Sequence, residues 1–151
     1  MSLEKSYLFQ GIAGPTLERI SEIASAESYP AGTFLFRAGD PAKHLYILEA
    51  GHVRLRVGQK GHIANVISEP GEALGWSSMV EQEEYTSSAE CILPVKAIKI
   101  EKNALLQLLE QDARSGQIFF QHLGKVIGQR LVDCYKATVS VQGERNPRSY
   151  G

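Results

Sequence analysis

The sequence predicts a mainly β fold, a small antiparallel barrel or jelly roll with a short helix before it and one long helix after it. Three observations predict this. Apolar residues recur at helical spacing near the N-terminus, then fall into short strand-like runs between Tyr29 and Ile100, and return to helical spacing from Asn103 onward. Turn residues punctuate the middle stretch every 8–12 or so positions, at Gly32, Gly39-Asp40, Gly51, Gly58, Gly61 and Pro70-Gly71. Alternation is clearest at Val53, Leu55 and Val57, with Arg54 and Arg56 between them, as expected of a half-buried strand.

Each element follows from its own residues. Between Tyr7 and Ser25, Leu17, Ile20 and Ala24 share one helical face, and Pro15 sits where a first-turn proline is tolerated, so a short helix is expected there. The apolar runs Phe34 to Phe36 and Leu45 to Leu48 read as strands. Asn103 is a candidate cap for a helix carrying Leu105, Leu106 and Leu109, and Asp112 for a second carrying Phe119, Leu123, Val126, Ile127, Arg130, Leu131 and Cys134, running roughly to Val141. One domain over residues 1–141 is expected, with 142–151, rich in Gly, Asn, Pro, Ser and Arg, as a flexible tail.

Composition removes several function classes. The 151 residues, 43% hydrophobic and 22% charged, suffice for one self-supporting core. A net charge of -1 lacks the basic footprint of a nucleic-acid binder, so no nucleic acid is expected on this chain alone. No apolar run approaches the roughly 20 residues that span a bilayer, and Met1 to Gln10 lacks a signal-peptide pattern, so neither membrane attachment nor export is expected and the location is read as cytoplasmic. Cys91 and Cys134 have no metal-ligand spacing and are expected to pack as small hydrophobes. His44, His52, His62 and His122 form no HxxxH or HExxH pair, and neither a Gly-x-Ser-x-Gly nor a phosphate-loop motif occurs. The acidic run Glu81-Gln82-Glu83-Glu84 reads as a solvated turn. An enzyme and a metal site are therefore not expected.

The residues with most chemical content are Glu69-Pro70-Gly71-Glu72-Ala73-Leu74-Gly75-Trp76-Ser77-Ser78-Met79, followed by Tyr85-Thr86-Ser87-Ser88-Ala89. A glycine turn leading into a one-turn helix gathers backbone N–H groups near Ser77 and Ser78, a phosphate-sized arrangement. The hydroxyls of Ser77, Ser78, Thr86, Ser87 and Ser88 add donors.

This stretch resembles the phosphate-binding cassette of cyclic-nucleotide-binding domains of bacterial regulators of the CRP/FNR type. The likeness extends to Leu8-Phe9 with Ile12, to Tyr29 through Asp40 and to Leu45 through Leu55, and so to almost the whole chain. It implies a double-stranded β-helix, or jelly roll, and a ligand-sensing module for a cyclic nucleotide or other small phosphate, with no further cofactor indicated. The family places a ribose-binding glutamate after the cassette glycine and a phosphate-neutralising arginine on the next strand. Here Gly75 matches the glycine, while Trp76 and Thr86 stand at the two charged positions. Losing a charge-assisted phosphate contact costs on the order of 1.5–3 kcal/mol, or about one to two decades of affinity. The ligand-binding candidates are Gly75, Trp76, Ser77, Ser78, Thr86 and Ser87, with Cys134 and Tyr135 where the family's long helix meets the base. Trp76 either contacts a ligand or fills the pocket as core.

In the family the long helix covers the ligand and, in bacterial regulators, pairs with its twin. Phe119, Leu123, Val126 and Arg130 step by three or four residues, which suits a homodimer seam or burial against the roll, and Gly124 and Gly128 permit close helix approach. Two readings follow: a sensor of a small anionic molecule, or a degenerate domain that no longer binds ligand and serves as an interaction and dimerisation scaffold.

Overall fold

The computed structural model describes residues 3–58 and 62–142. Gly61 and positions 143–151 of the expected tail lie outside the described residues. Two 3-10 turns, Leu3–Lys5 and Tyr7–Phe9, precede α1 (Gly14–Ile23), and eight strands follow: β1 (Ala24–Tyr29), β2 (Phe34–Phe36), β3 (His44–Ala50), β4 (Val53–Val57), β5 (His62–Ile67), β6 (Ala73–Leu74), β7 (Ser88–Cys91) and β8 (Val95–Glu101). A third 3-10 turn, Trp76–Met79, lies between β6 and β7, and α2 (Lys102–Gln111) and α3 (Ala113–Gln142) close the chain. The strands form two antiparallel four-stranded sheets, β1-β8-β3-β6 and β2-β7-β4-β5, the jelly roll the sequence predicts.

β3 explains how the layers are built. Leu45 and Ile47 face a cluster shared with Phe9, Ile20, Ile98, Ile100, Leu105, Phe119 and Leu123, so this side of the first sheet lies under the helices. Tyr46 and Leu48 face a second cluster with Phe36, Val53, Leu74, Ala89 and Val95 inside the roll. Both faces of the strand are covered, which is why its sequence is a continuous apolar run rather than an alternating one.

Three local expectations need correction. Ala24 belongs to β1, where it pairs with Ile100; its N–H closes the last turn of α1 on Ile20 O and its ψ of 148° then carries the chain into the strand without a loop. The α2 cap is Glu101, not Asn103, because the Glu101 carboxylate accepts from Ala104 N at 2.8 Å. Cys91 is buried as expected, but Cys134 is exposed. The Asp112 cap is present: Oδ1 accepts from Ser115 N at 3.3 Å, and Oδ2 from Thr16 Oγ1 at 2.7 Å and from Ser115 Oγ. Asp112 thereby joins the starts of α1 and α3.

Candidate functional site

The cassette begins as a turn bound tightly to its neighbours. Gly71 N donates to Leu48 O at 2.7 Å, Leu48 N to Glu72 O at 2.8 Å, and Ser6 Oγ to Gly71 O at 2.8 Å. Gly75 then takes a left-handed conformation with φ of 77°, which redirects the chain into the 3-10 turn. A side chain there would meet His44 O at 3.0 Å, Tyr85 Cε1 at 3.2 Å and Phe36 Cε2 at 3.4 Å. Tyr85 is itself fixed: its hydroxyl donates to His44 O at 2.6 Å and accepts from His44 N at 3.1 Å, while its ring stacks on Phe36 at 4.0 Å. The phenol is kept neutral, since burial pushes its pKa up.

Most of the predicted site residues converge. Gly75, Trp76, Ser77, Thr86 and Ser87 line one cavity together with Phe36, Leu55, Leu74, Tyr85 and Arg130. Ser78 is not available to a ligand: its hydroxyl and its N–H both close the turn on Gly75 O, at 2.8 and 3.1 Å, and it is fully buried. Trp76 is half-buried and packs on the cluster under the helices, so it serves as both cavity wall and core. Cys134 and Tyr135 line neither this cavity nor the larger cleft beside it. The cavity holds only about 30 Å³. That is room for about one water molecule, where small-molecule sites span roughly 300–1,000 Å³.

Arg130 is the residue whose contact with the cassette sequence reasoning missed. Phe119 and Leu123 are buried in the chain's own core, Val126 packs on it, and Arg130 reaches the cassette, where Nη2 donates to Ala73 O at 2.5 Å. These four positions, which suit a homodimer seam or burial against the roll, pack on the chain's own roll, where that face of α3 covers the cluster beneath it. Burial draws the Arg130 pKa down and the Glu72 carboxylate opposes the shift; the group stays a cation. The signal was available: a cation on an otherwise apolar core-facing stripe is anomalous and points to a specific partner. On its other side Arg130 borders a cleft of about 370 Å³, lined also by Lys5, Tyr7, Glu72, Ala73, Gln129 and Asp133.

A jelly roll of two antiparallel four-stranded sheets, closed by a long helix whose Arg130 reaches the turn after β6, defines the fold class. The chain matches the cyclic nucleotide-binding domain family over residues 26–112, more than half its length, and belongs to that family, which is one of regulatory domains rather than enzymes. It is 27% identical to a CRP-like cAMP-activated global transcriptional regulator of Mycobacterium tuberculosis over 68% of this chain and 47% of that protein, so it spans about half the length of that relative. It is also 27% identical to the cyclic AMP receptor protein of Thermus thermophilus, over 98% of this chain and 68% of the relative. A solved structure from Geobacter metallireducens, described as a cyclic nucleotide-binding protein, matches with a TM-score of 0.76 at 26% identity, over 85% of this chain and 95% of that one. Among the described residues no helix is long and apolar enough to cross a membrane and no cluster of His, Cys, Asp or Glu could hold a metal ion.

Proposed function

We propose that this domain is a ligand-sensing regulatory module of the cyclic-nucleotide-binding type with an atypical cassette, taking a small anionic or nucleotide-like molecule between the Gly75 turn and α3. One observation carries the reading: Arg130 places a partly buried guanidinium at the cassette, where Trp76 and Thr86 bring no charge. An anion on Arg130 would compete with its bond to Ala73 O and so shift α3 relative to the cassette. The size of that shift is limited by the ligand's differential affinity for the two helix positions. The relatives named for cAMP support a cyclic nucleotide as the first ligand to try, and the first of them being a transcriptional regulator supports a cytoplasmic location.

The test is thermal shift and calorimetry against cAMP, cGMP, cyclic dinucleotides, linear nucleotides and inorganic phosphate. A ligand at a hundred times its Kd adds about 2.7 kcal/mol. Stabilisation by one of them that is lost in Arg130→Gln supports the sensor; no response from any of them rejects it.

A second reading is a non-binding scaffold that forms a homodimer through α3. The cavity of about 30 Å³ favours it. So do the exposed Phe120, Leu131, Val132 and Val139 along α3 and the open space beside Gly124 and Gly128. Sedimentation equilibrium distinguishes dimer from monomer.

A further inference from the structure

The cleft beyond Arg130 is larger and more open than the cassette cavity. At about 370 Å³ it falls within the size range of small-molecule sites. Four segments distant in sequence build it: the N-terminal 3-10 turns with Gln10, Asn65 of β5, the turn from Pro70 to Ala73, and the middle of α3. Its walls are held in place. Ser6 Oγ ties the N-terminal segment to Gly71 O at 2.8 Å, and Arg130 ties α3 to Ala73 O. The Tyr7 ring is stacked on His122 at 4.4 Å, with Lys125 Nζ 5.4 Å from its centroid on the ring face. The lining charges are balanced, two cations, Lys5 and Arg130, and two carboxylates, Glu72 and Asp133. The carboxylates keep acceptor capacity: Asp133 Oδ1 takes one bond from Gln129 Nε2 at 3.0 Å, and Glu72 Oε1 one from Glu69 N at 3.2 Å.

A purely anionic ligand would face two carboxylates at close range, and a purely cationic one would face Lys5 and Arg130. Like charges brought together in a half-desolvated cleft repel, so either ligand is disfavoured. A molecule carrying both charges meets complementary groups at both ends. We propose that this cleft is a ligand site of its own for a zwitterion of the amino-acid or dipeptide class, its carboxylate held by Lys5 and Arg130 and its ammonium by Asp133 and Glu72. Such a ligand bridges the N-terminal turns to α3 across the outer turn from Pro70 to Ala73 without entering the cavity behind Gly75.

The experiment is calorimetry and thermal shift of the whole chain against the twenty free L-amino acids and a set of dipeptides. The best binder is then compared with its N-acetyl and C-amide derivatives, each of which removes one of the two charges. The site predicts that at least one zwitterion binds, and that each derivative binds at least roughly tenfold more weakly. Lys5→Gln and Asp133→Asn, both at exposed positions where folding is insensitive, lower the affinity for the zwitterion similarly. Absence of binding by every amino acid and dipeptide overturns the proposal, as does binding of the derivatives as tight as that of the parent, or binding that survives the Lys5→Gln/Asp133→Asn double variant. The outcome is separable from that of the cassette reading, because a response to phosphates or nucleotides requires neither Lys5 nor Asp133.

Discussion

Arg130 Nη2 donates to the carbonyl of Ala73 at 2.5 Å across 57 residues of sequence, and this one bond ties the closing helix to the cassette. A hydrogen bond to a charged group contributes about 1.5–3 kcal/mol, but taking the guanidinium out of water costs several kcal/mol in opposition. The two nearly cancel. Arg130→Met, which keeps the stem packing and removes the charge, is therefore expected to stay within about 1 kcal/mol of the parent in urea unfolding. Arg130→Ala, which also opens a void, is expected to be the less stable of the two. A loss of several kcal/mol in the Met variant would mean that the charge itself holds α3 down.

Gly75 and Gly51 are both left-handed, with φ of 77° and 104°, but a methyl group would meet different surroundings at each. At Gly75 the nearest atom is a carbonyl oxygen at 3.0 Å; at Gly51 it is Pro94 O, closer still, with Val95 Cα at 2.9 Å. Left-handed backbone costs a side chain about 1–2 kcal/mol at either position. Gly75→Ala should lose about 2 kcal/mol, since its neighbours must move by only a few tenths of an ångström. Gly51→Ala should lose more, by about 1–3 kcal/mol of overpacking, because backbone has to shift. Denaturant midpoints of the two variants test the order.

The Asp112 carboxyl is held below the ordinary carboxylate range, first by the Ser115 hydroxyl, then by Thr16 and the Ser115 amide. A carboxyl with a depressed folded pKa binds more protons when unfolded. The stability it contributes is therefore present above the unfolded value, near 3.8, and is lost as the pH falls through the folded value. Asp112→Asn keeps a capping oxygen for Ser115 N and removes the titration. Its melting temperature should fall less steeply below pH 4 than that of the parent; an identical acid limb would show that other carboxyls govern acid unfolding.

The alkaline limb follows the opposite sign. Tyr46, buried inside the roll with its hydroxyl donating to Leu35 O at 3.2 Å, has its pKa raised well above 10, chiefly by burial and next by Tyr85. A raised folded pKa gives stability that is present below the unfolded value of 10.0 and lost as the pH climbs above it. Tyr46→Phe should cost about 1 kcal/mol near neutrality for the hydrogen bond, yet decline less between pH 10 and 11. Equal slopes for parent and variant would place the alkaline sensitivity elsewhere.

The fold was legible wherever one residue type does one job. The glycine turns at Gly32, Gly39, Gly51, Gly58 and Gly71, the β3 run and the Asp112 cap each follow from local chemistry that survives into the structure. The Ala24 boundary did not, because alanine fits helix and strand alike and pairing with Ile100 decided the matter. The cassette was legible as a turn but not as a site. Whether Ser78 donates to a ligand or to Gly75 O depends on a three-residue backbone geometry that the sequence does not specify. Arg130 was legible only as a periodic position, since period gives the face of a helix and not what that face covers.

α3 is where that ambiguity can be settled by substitution. Phe119 and Leu123 are 0% and 1% exposed, whereas the adjacent Phe120 is 38% exposed. Phe119→Ala should cost about 3–5 kcal/mol and Leu123→Ala about 2–5 kcal/mol, while Phe120→Ala in a monomer should cost only about 0.5–1.5 kcal/mol, for its edge contact with the Phe119 ring at 5.2 Å. Gly124 and Gly128 have nothing within 4 Å of where a Cβ would lie, so alanine at either should stabilise a monomer by about 1 kcal/mol through helix propensity. If instead the helix packs closely on a twin along Phe120, Gly124, Gly128 and Leu131, the same alanines hold the two backbones apart. Gly124→Ala and Gly128→Ala would then weaken association in sedimentation, and Phe120→Ala would lose stability in proportion to the dimer it dissolves. One pair of glycine substitutions thus reads oppositely in the two states, stabilising where the face meets water and destabilising where it meets a second helix.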